Sequence, residues 1–352
     1  MLSTARRCRG EWLRPQLLTR QRGASTTPSA GDSRNFRKKD KCRVFTQGEG
    51  NFARVGFLDA LPAITPPTNF KGGSTKTTTA FNLAQGLTLR GRRVLIVDLD
   101  PQASATSLTG LLPAAEVSEE ETAALITYPP LAEAPKDLTY AIQNTYWDGL
   151  DIIPACPNLF NAEIFLPIHS QDTRIEWWNL LNVAIDPLRK DYDVIIFDTA
   201  PALSYLAVNA VIAADGLLMP IPPENLDYAS SIAFWNLLSE TLSGLKTRRG
   251  IHKDFEFMRV LLSRVDSTSL SSSLVRDWIL KTYGPYVLPV EIPKSEATKV
   301  AAISSGTVYD IGRYDGSTKT YIKVRQAYDR FVEIIDMSIV GIWHARQQKG
   351  NA

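Results

Sequence analysis

The chain has 352 residues, of which 44% are hydrophobic and 22% charged, and a formal net charge of +2. This length suits one large α/β domain or two smaller ones, and the composition is that of an ordinary soluble globular protein. No run approaches the ~18 consecutive apolar residues of a membrane span; three widely spaced cysteines (Cys8, Cys42, Cys156) argue against a disulfide framework, and three scattered histidines argue against a structural zinc site.

The small net charge conceals an asymmetry. Residues 1–40 carry +7 and the remainder −5, so the basic excess belongs to the N-terminal segment. Residues 1–45 are rich in Arg, Ser, Thr and Pro and lack sustained apolar periodicity. Three readings stay open for them: a disordered basic tail, an organellar transit peptide, or a translated extension upstream of the true start. The folded body is expected over residues 46–350.

The first informative stretch of that body is AITPPTNF (63–70), where Pro66 and Pro67 cannot donate ladder hydrogen bonds, so a strand here would be short or broken. It leads into KGGSTKTTT (71–79). The general phosphate-binding pattern is G-x-x-x-x-G-K-[ST]. Lys76 and Thr77 supply its last two positions, Gly72 and Gly73 supply flexibility, and Thr75 stands where the second glycine is expected. A β-branched residue there would be strained if the position required a glycine-like backbone.

From residue 77 the pattern becomes regular. A helix is expected over 77–90, followed by the apolar strand RRVLIVDLD (92–100), which ends in two acids. Further helices are expected over 174–189, 205–214, 228–242, 270–283 and 323–347. Strands are expected over 191–201 (DYDVIIFDTAP), 215–224, 257–266 and 286–293. Strands alternating with helices predict an α/β fold with a mostly parallel sheet covered on both faces. Ligands in such sheets bind at the carboxyl ends of strands, where Asp98, Asp100 and Asp198 fall. One aspartate after an apolar strand is commonly a cap or turn residue. Three of them with a Lys-Thr helix start supply the parts of a nucleoside triphosphate site: a lysine for phosphates, a hydroxyl for Mg²⁺ and carboxylates around the metal.

KGGSTKTT resembles the deviant Walker A motif, KGGxGK[ST], of the ParA/MinD family of partition ATPases. VDLDPQASAT resembles the family's second motif, FDTAPAL its Walker B region, and the stretch from Asp277 to Ile311 the large plasmid-type ParA and RepA proteins. The similarity runs over roughly 69–345. It implies a P-loop ATPase fold and an ATP- and Mg²⁺-dependent ATPase of plasmid or chromosome segregation. In this reading Gly72, Gly73, Ser74, Thr75, Lys76, Thr77 and Thr78 cradle the nucleotide, and Lys76 holds the β/γ-phosphates. Lys71 reaches across a nucleotide-sandwich homodimer as a cationic finger, and Asp100 orients the attacking water. Thr77, Asp100 and Asp198 form the metal set.

The resemblance also implies non-specific DNA binding, placed here on Lys319, Lys323, Arg325 and Arg330, with Lys294 and Lys299 nearby. Its implied partner is a ParB-like centromere-binding protein, and its implied location is cytoplasmic and nucleoid-associated, or an organelle if residues 1–40 are a transit peptide. The alternatives are a non-hydrolysing or degenerate nucleotide binder of the same fold, or a MinD-like regulator. The latter needs a membrane-binding amphipathic helix at the C-terminus; the apolar stripe there also suits a core-packed last helix, and no stable membrane association is expected. A cluster carrier would need a C-x-x-C pair, and the sequence has none.

Overall fold

The apolar runs VLIVDL, VIIFDT and GLLMPI are buried along their whole length as the centre of one sheet. The computed structural model describes residues 53–57, 75–127, 137–171, 175–311 and 316–350, all within the unit Val44–Ala352. Its first half contains β1 (Ala53–Phe57), α1 (Thr75–Thr88), β2 (Val94–Leu99), α2 (Ser104–Leu108), α3 (Pro113–Glu116), β3 (Gln143–Asn144), β4 (Leu150–Ile153), α4 (Ala162–Gln171) and α5 (Leu180–Ala184). The second half contains β5 (Val194–Thr199), α6 (Tyr205–Ala213), β6 (Gly216–Ile221), α7 (Asn225–Arg249), β7 (Phe257–Val265), α8 (Leu270–Tyr283), β8 (Val287–Pro293), α9 (Glu296–Ile303) and α10 (Thr318–Gly350).

The eight strands form one sheet in the order β3-β4-β2-β5-β1-β6-β7-β8. All neighbours are parallel except the short edge strand β3, as the alternation of strands and helices predicts. Successive side chains of a strand point to opposite faces, and the two faces collect different helices. Val94, Ile96, Val194 and Ile196 meet α1 and α10 through Phe81, Leu83, Leu87, Phe331 and Ile335. Leu95, Val97, Ile195 and Phe197 meet α4 to α8 through Leu166, Leu181, Ala210, Phe234 and Ile279.

Helix α1 carries three consecutive threonines, which are poor helix formers. It forms because tertiary burial overrides propensity: all its residues except Thr78 and Thr88 are buried between the sheet and α10. The apolar stripe of α10 (Val324, Tyr328, Phe331, Val332, Ile335, Ile339) is buried as well. It packs in the core and is not displayed for a membrane. Among the described residues no helix is long and apolar enough to cross one.

Two expectations need correction. The helix expected over 174–189 is only the single turn-and-a-half of α5, followed by a 3-10 turn over Asp186–Lys190. Pro187 cannot donate to a helix and disfavours helical backbone at Asp186. The central strand β1 comes from ARVGF, well upstream of the proline-broken stretch where it was sought; residues 58–74, including Pro66 and Pro67, lie outside the described residues. Strand β4 and helices α4 and α9 were not anticipated.

Gly86 marks the closest approach of α1 to α10, where a Cβ would lie 2.5 Å from Val332 Cγ2. Val332 is buried and stiff at χ1, so it has little room to yield. Gly86→Ala gains about 1 kcal/mol of helix propensity but loses about 1–3 kcal/mol to overpacking. The expected net is a lower Tm in thermal unfolding, by roughly 2–4 °C per kcal/mol lost. An unchanged or raised Tm would show that the α1–α10 contact can relax.

Candidate active site

The predicted nucleotide and metal residues that fall within the described region lie at the carboxyl ends of β2 and β5 and the start of α1. Thr75, Lys76 and Thr77 are the first three residues of α1, whose backbone N–H groups have no intrahelical partner and whose dipole favours an anion. All three are buried, Lys76 to 3% exposure. The Thr77 hydroxyl donates to Asp198 Oδ2 at 2.7 Å, joining the start of α1 to the end of β5. Thr75 does not carry the strained backbone that its replacement of glycine suggested. It lies in helix, and the non-glycine residues with positive φ among those described are Ala103, Arg264 and Ser305. Thr78 is half-buried on the same turn.

Asp98 and Asp198 are neighbours in register across β2 and β5. Asp98 is fully buried and accepts three hydrogen bonds: Thr106 N–H at 2.9 Å and the Thr106 hydroxyl at 2.8 Å on Oδ2, and Asp100 N–H at 3.1 Å on Oδ1. Burial, with the charge of Asp198 second, pushes its carboxyl up to about 8, while the Thr106 and Asp100 hydrogen bonds pull it back. Asp100 lies half-buried just beyond β2, in a turn closed by Gln102 N–H to its own Oδ1 (2.8 Å) and Ala103 N–H to its carbonyl (2.8 Å). On the other side of β5, Glu163 of α4 accepts from Tyr205 and Leu206 N–H at 3.0 and 3.1 Å, capping α6 and fixing the segment that follows Asp198.

A polar cluster that sequence reasoning missed ties the other end of α1 to the segment before α10. Asp310 accepts from Gln85 Nε2 (2.6 Å), Trp147 Nε1 (3.1 Å) and Thr307 N–H (2.8 Å), and Asn82 Oδ1 accepts from Val308 N–H (3.0 Å). Arg90 reaches the Asp329 carbonyl of α10 (3.1 Å), and Arg92 pairs with Asp336 (2.9 Å). The basic residues expected to meet DNA divide into two kinds. Lys319, Lys323 and Arg330 are exposed and lie within about 40° of one another around the axis of α10. Arg325 faces elsewhere: its guanidinium stacks 4.8 Å from the Tyr309 ring and donates to the Tyr321 hydroxyl. Arg330 pairs with Glu333, Lys294 with Asp266 and Lys299 with Glu296. Lys71, Gly72, Gly73 and Ser74 lie outside the described residues.

Residues 64–248 match a protein family described as an AAA domain. Protein SopA of Escherichia coli is 33% identical over 256 residues, covering 72% of this chain and 64% of SopA. The chromosome partitioning protein ParA of Myxococcus xanthus is 33% identical over 254 residues, covering 72% of this chain and 80% of ParA. The chain belongs to the ParA/MinD family of P-loop ATPases. A solved structure of cobyrinic acid a,c-diamide synthase from Mycobacterium smegmatis, with a bound ATP analogue and magnesium, superposes with a TM-score of 0.53 at 27% identity, over 72% of this chain and 91% of the synthase. The same fold thus serves proteins named for partition and a biosynthetic enzyme, so activity has to be argued from the site. The chain also spans only about two thirds of the length of SopA.

Proposed function

We propose that the chain binds and hydrolyses Mg²⁺-ATP and uses the cycle to switch a nucleotide-sandwich homodimer on and off DNA in plasmid or chromosome partition. The observation that carries this reading is the Lys76–Thr77 start of α1 joined to Asp198 by the 2.7 Å hydrogen bond. It gathers in one place a buried cation and a helix N-terminus for phosphates, and a hydroxyl and a carboxylate for a metal. The donor set fits Mg²⁺, which prefers hard oxygen ligands and takes few of them from protein. Thr77 Oγ1 would hold the ion directly, with Asp198 and Asp100 acting through its waters. When bound, the ion neutralises charge on the β- and γ-phosphates.

The chain's own residues divide the remaining work. Lys76 draws the phosphates onto the N-terminus of α1, and Asp100, held at the mouth of β2, orients the water that attacks the γ-phosphate. Lys71 enters the partner's site and offsets charge as the phosphoryl group leaves. The exposed stripe of Lys319, Lys323 and Arg330 meets DNA phosphates, a ParB-like protein stimulates turnover, and the ATP-bound dimer resides on the nucleoid.

Binding of a fluorescent ATP analogue and phosphate release, measured on the full chain beside Thr75→Gly, test the nucleotide part. Because Thr75 is helical, the substitution should change affinity and turnover by no more than about threefold, the scale of Gly against other residues at a helix end. A gain of tenfold or more would mean that the Thr75 side chain crowds the phosphates. A wild type that fails to bind the analogue overturns the proposal.

A further inference from the structure

The hydrogen bonds behind Asp100 lead through Asp98 to Thr106, which is not among the residues assigned to the nucleotide. Thr106 sits in the third position of the short helix α2 and is fully buried. Its hydroxyl is used in both directions, donating to Asp98 Oδ2 at 2.8 Å and accepting from Ala155 N–H at 2.8 Å. Its backbone N–H adds a second bond to the same carboxylate oxygen. The other oxygen of Asp98 accepts the backbone N–H of Asp100. A path therefore runs from the segment after β4, through Thr106 and Asp98, to the backbone of Asp100.

A second observation, independent of those bonds, concerns the turn they enclose. Ala103, between Asp100 and α2, has φ 52° in the left-handed region, and α2 has no side-chain cap. For a residue with a Cβ this conformation costs on the order of 1–2 kcal/mol, and it persists where surrounding contacts over-determine it. The contacts on either side are the Asp100 carbonyl, which accepts Ala103 N–H at 2.8 Å, and the Thr106–Asp98 pair. The turn bearing Asp100 is thus bent against its own preference and clamped at both ends.

We propose that Thr106 is a positioning residue: through Asp98 it holds the Asp100 turn in the geometry that aims the Asp100 carboxylate at the attacking water. The inference rests on the ATPase reading above, in which Asp100 has that task. Thr106 touches neither phosphate nor metal in this scheme. Its loss displaces Asp100 and leaves the Lys76–Thr77 cradle in place.

Thr106→Val keeps the side-chain shape and removes the hydroxyl, whereas Thr106→Ser keeps the hydroxyl. In the full chain, Thr106→Val should bind a fluorescent ATP analogue within about threefold of wild type, as expected when ground-state binding is intact. Its kcat should fall between about 10- and 100-fold, the scale of a small misplacement of a reacting group. Thr106→Ser should recover most of that kcat. Hydrogen–deuterium exchange should be at least about tenfold faster over residues 99–106 in Thr106→Val alone, with β5 and α8 unchanged. Unchanged kcat and exchange in Thr106→Val overturn the proposal, and so does a parallel fall of affinity and kcat that Thr106→Ser fails to rescue. A wild type that binds nucleotide without turning it over defeats the ATPase reading instead. The exchange arm then decides alone: selective loosening of residues 99–106 upholds the clamp, and its absence removes it.

Discussion

Lys76→Ala should give a folded chain that no longer retains Mg²⁺-ATP. Lys76 is the second residue of α1 and is buried, next in sequence to Thr77, whose hydroxyl bonds Asp198. The helix dipole contributes about 0.3–1 kcal/mol toward an anion at an exposed end. A charge-assisted hydrogen bond contributes about 1.5–3 kcal/mol, and the lysine can make one to each of two phosphates. The lysine term therefore outweighs the helix term, and its loss should weaken binding at least about 100-fold, equivalent to roughly 3 kcal/mol. Lys76→Arg should not rescue it, because a planar guanidinium does not fit where a compact ammonium is enclosed. Titration with a fluorescent ATP analogue, with circular dichroism to verify folding, gives the answer. Equal affinity in wild type and Lys76→Ala would place the nucleotide elsewhere.

The parts of this fold that could be read in the sequence are those whose burial is uniform. Strands β2, β5 and β6 are covered on both faces, so they appear as continuous apolar runs, and the first two end in the acids that mark the site. The limits expected for α8 coincide with those observed, because Ser269 caps it and Gly284 follows it. Strand β1 was missed for the opposite reason. It is five residues long, contains Arg54 and Gly56, and lies far from the loop that usually betrays it. Thr106 closes the motif VDLDPQASAT, but its tie to Ala155, 49 residues away, could not be read from it, and Asp310 was invisible because its partner Gln85 is 225 residues away. Neither spacing leaves a local pattern. Arg325 shows the converse case, since a basic residue two positions from Lys323 in sequence is turned onto Tyr309 by helical geometry.

The same geometry allows the dimer and its DNA contact to be tested separately. Lys319 and Lys323 are one helical turn apart on the exposed side of α10, and neither forms an ion pair among the described residues. The same helix packs on α1 through Val332 against Gly86 and is tied by the Arg92–Asp336 pair to the segment that follows α1, so the basic stripe rides on a helix packed against the one that carries Lys76. Lys319→Ala with Lys323→Ala should leave ATP binding and ATP-dependent dimerisation intact while DNA retention falls. The slope of log affinity against log salt should shrink by about 0.9 for each phosphate contact removed. Arg325→Ala should instead lower Tm through the lost stacking on Tyr309, with little change in that slope. Lys71→Ala addresses the other half of the switch: it should keep measurable ATP binding but lose hydrolysis and ATP-dependent DNA retention, because the charge it supplies acts across the dimer. Light scattering with and without ATP, followed by DNA retention over a salt series, distinguishes the three variants. A wild-type chain that stays monomeric with ATP, or that holds DNA equally without it, would remove the partition switch and leave a nucleotide-binding protein of the same fold.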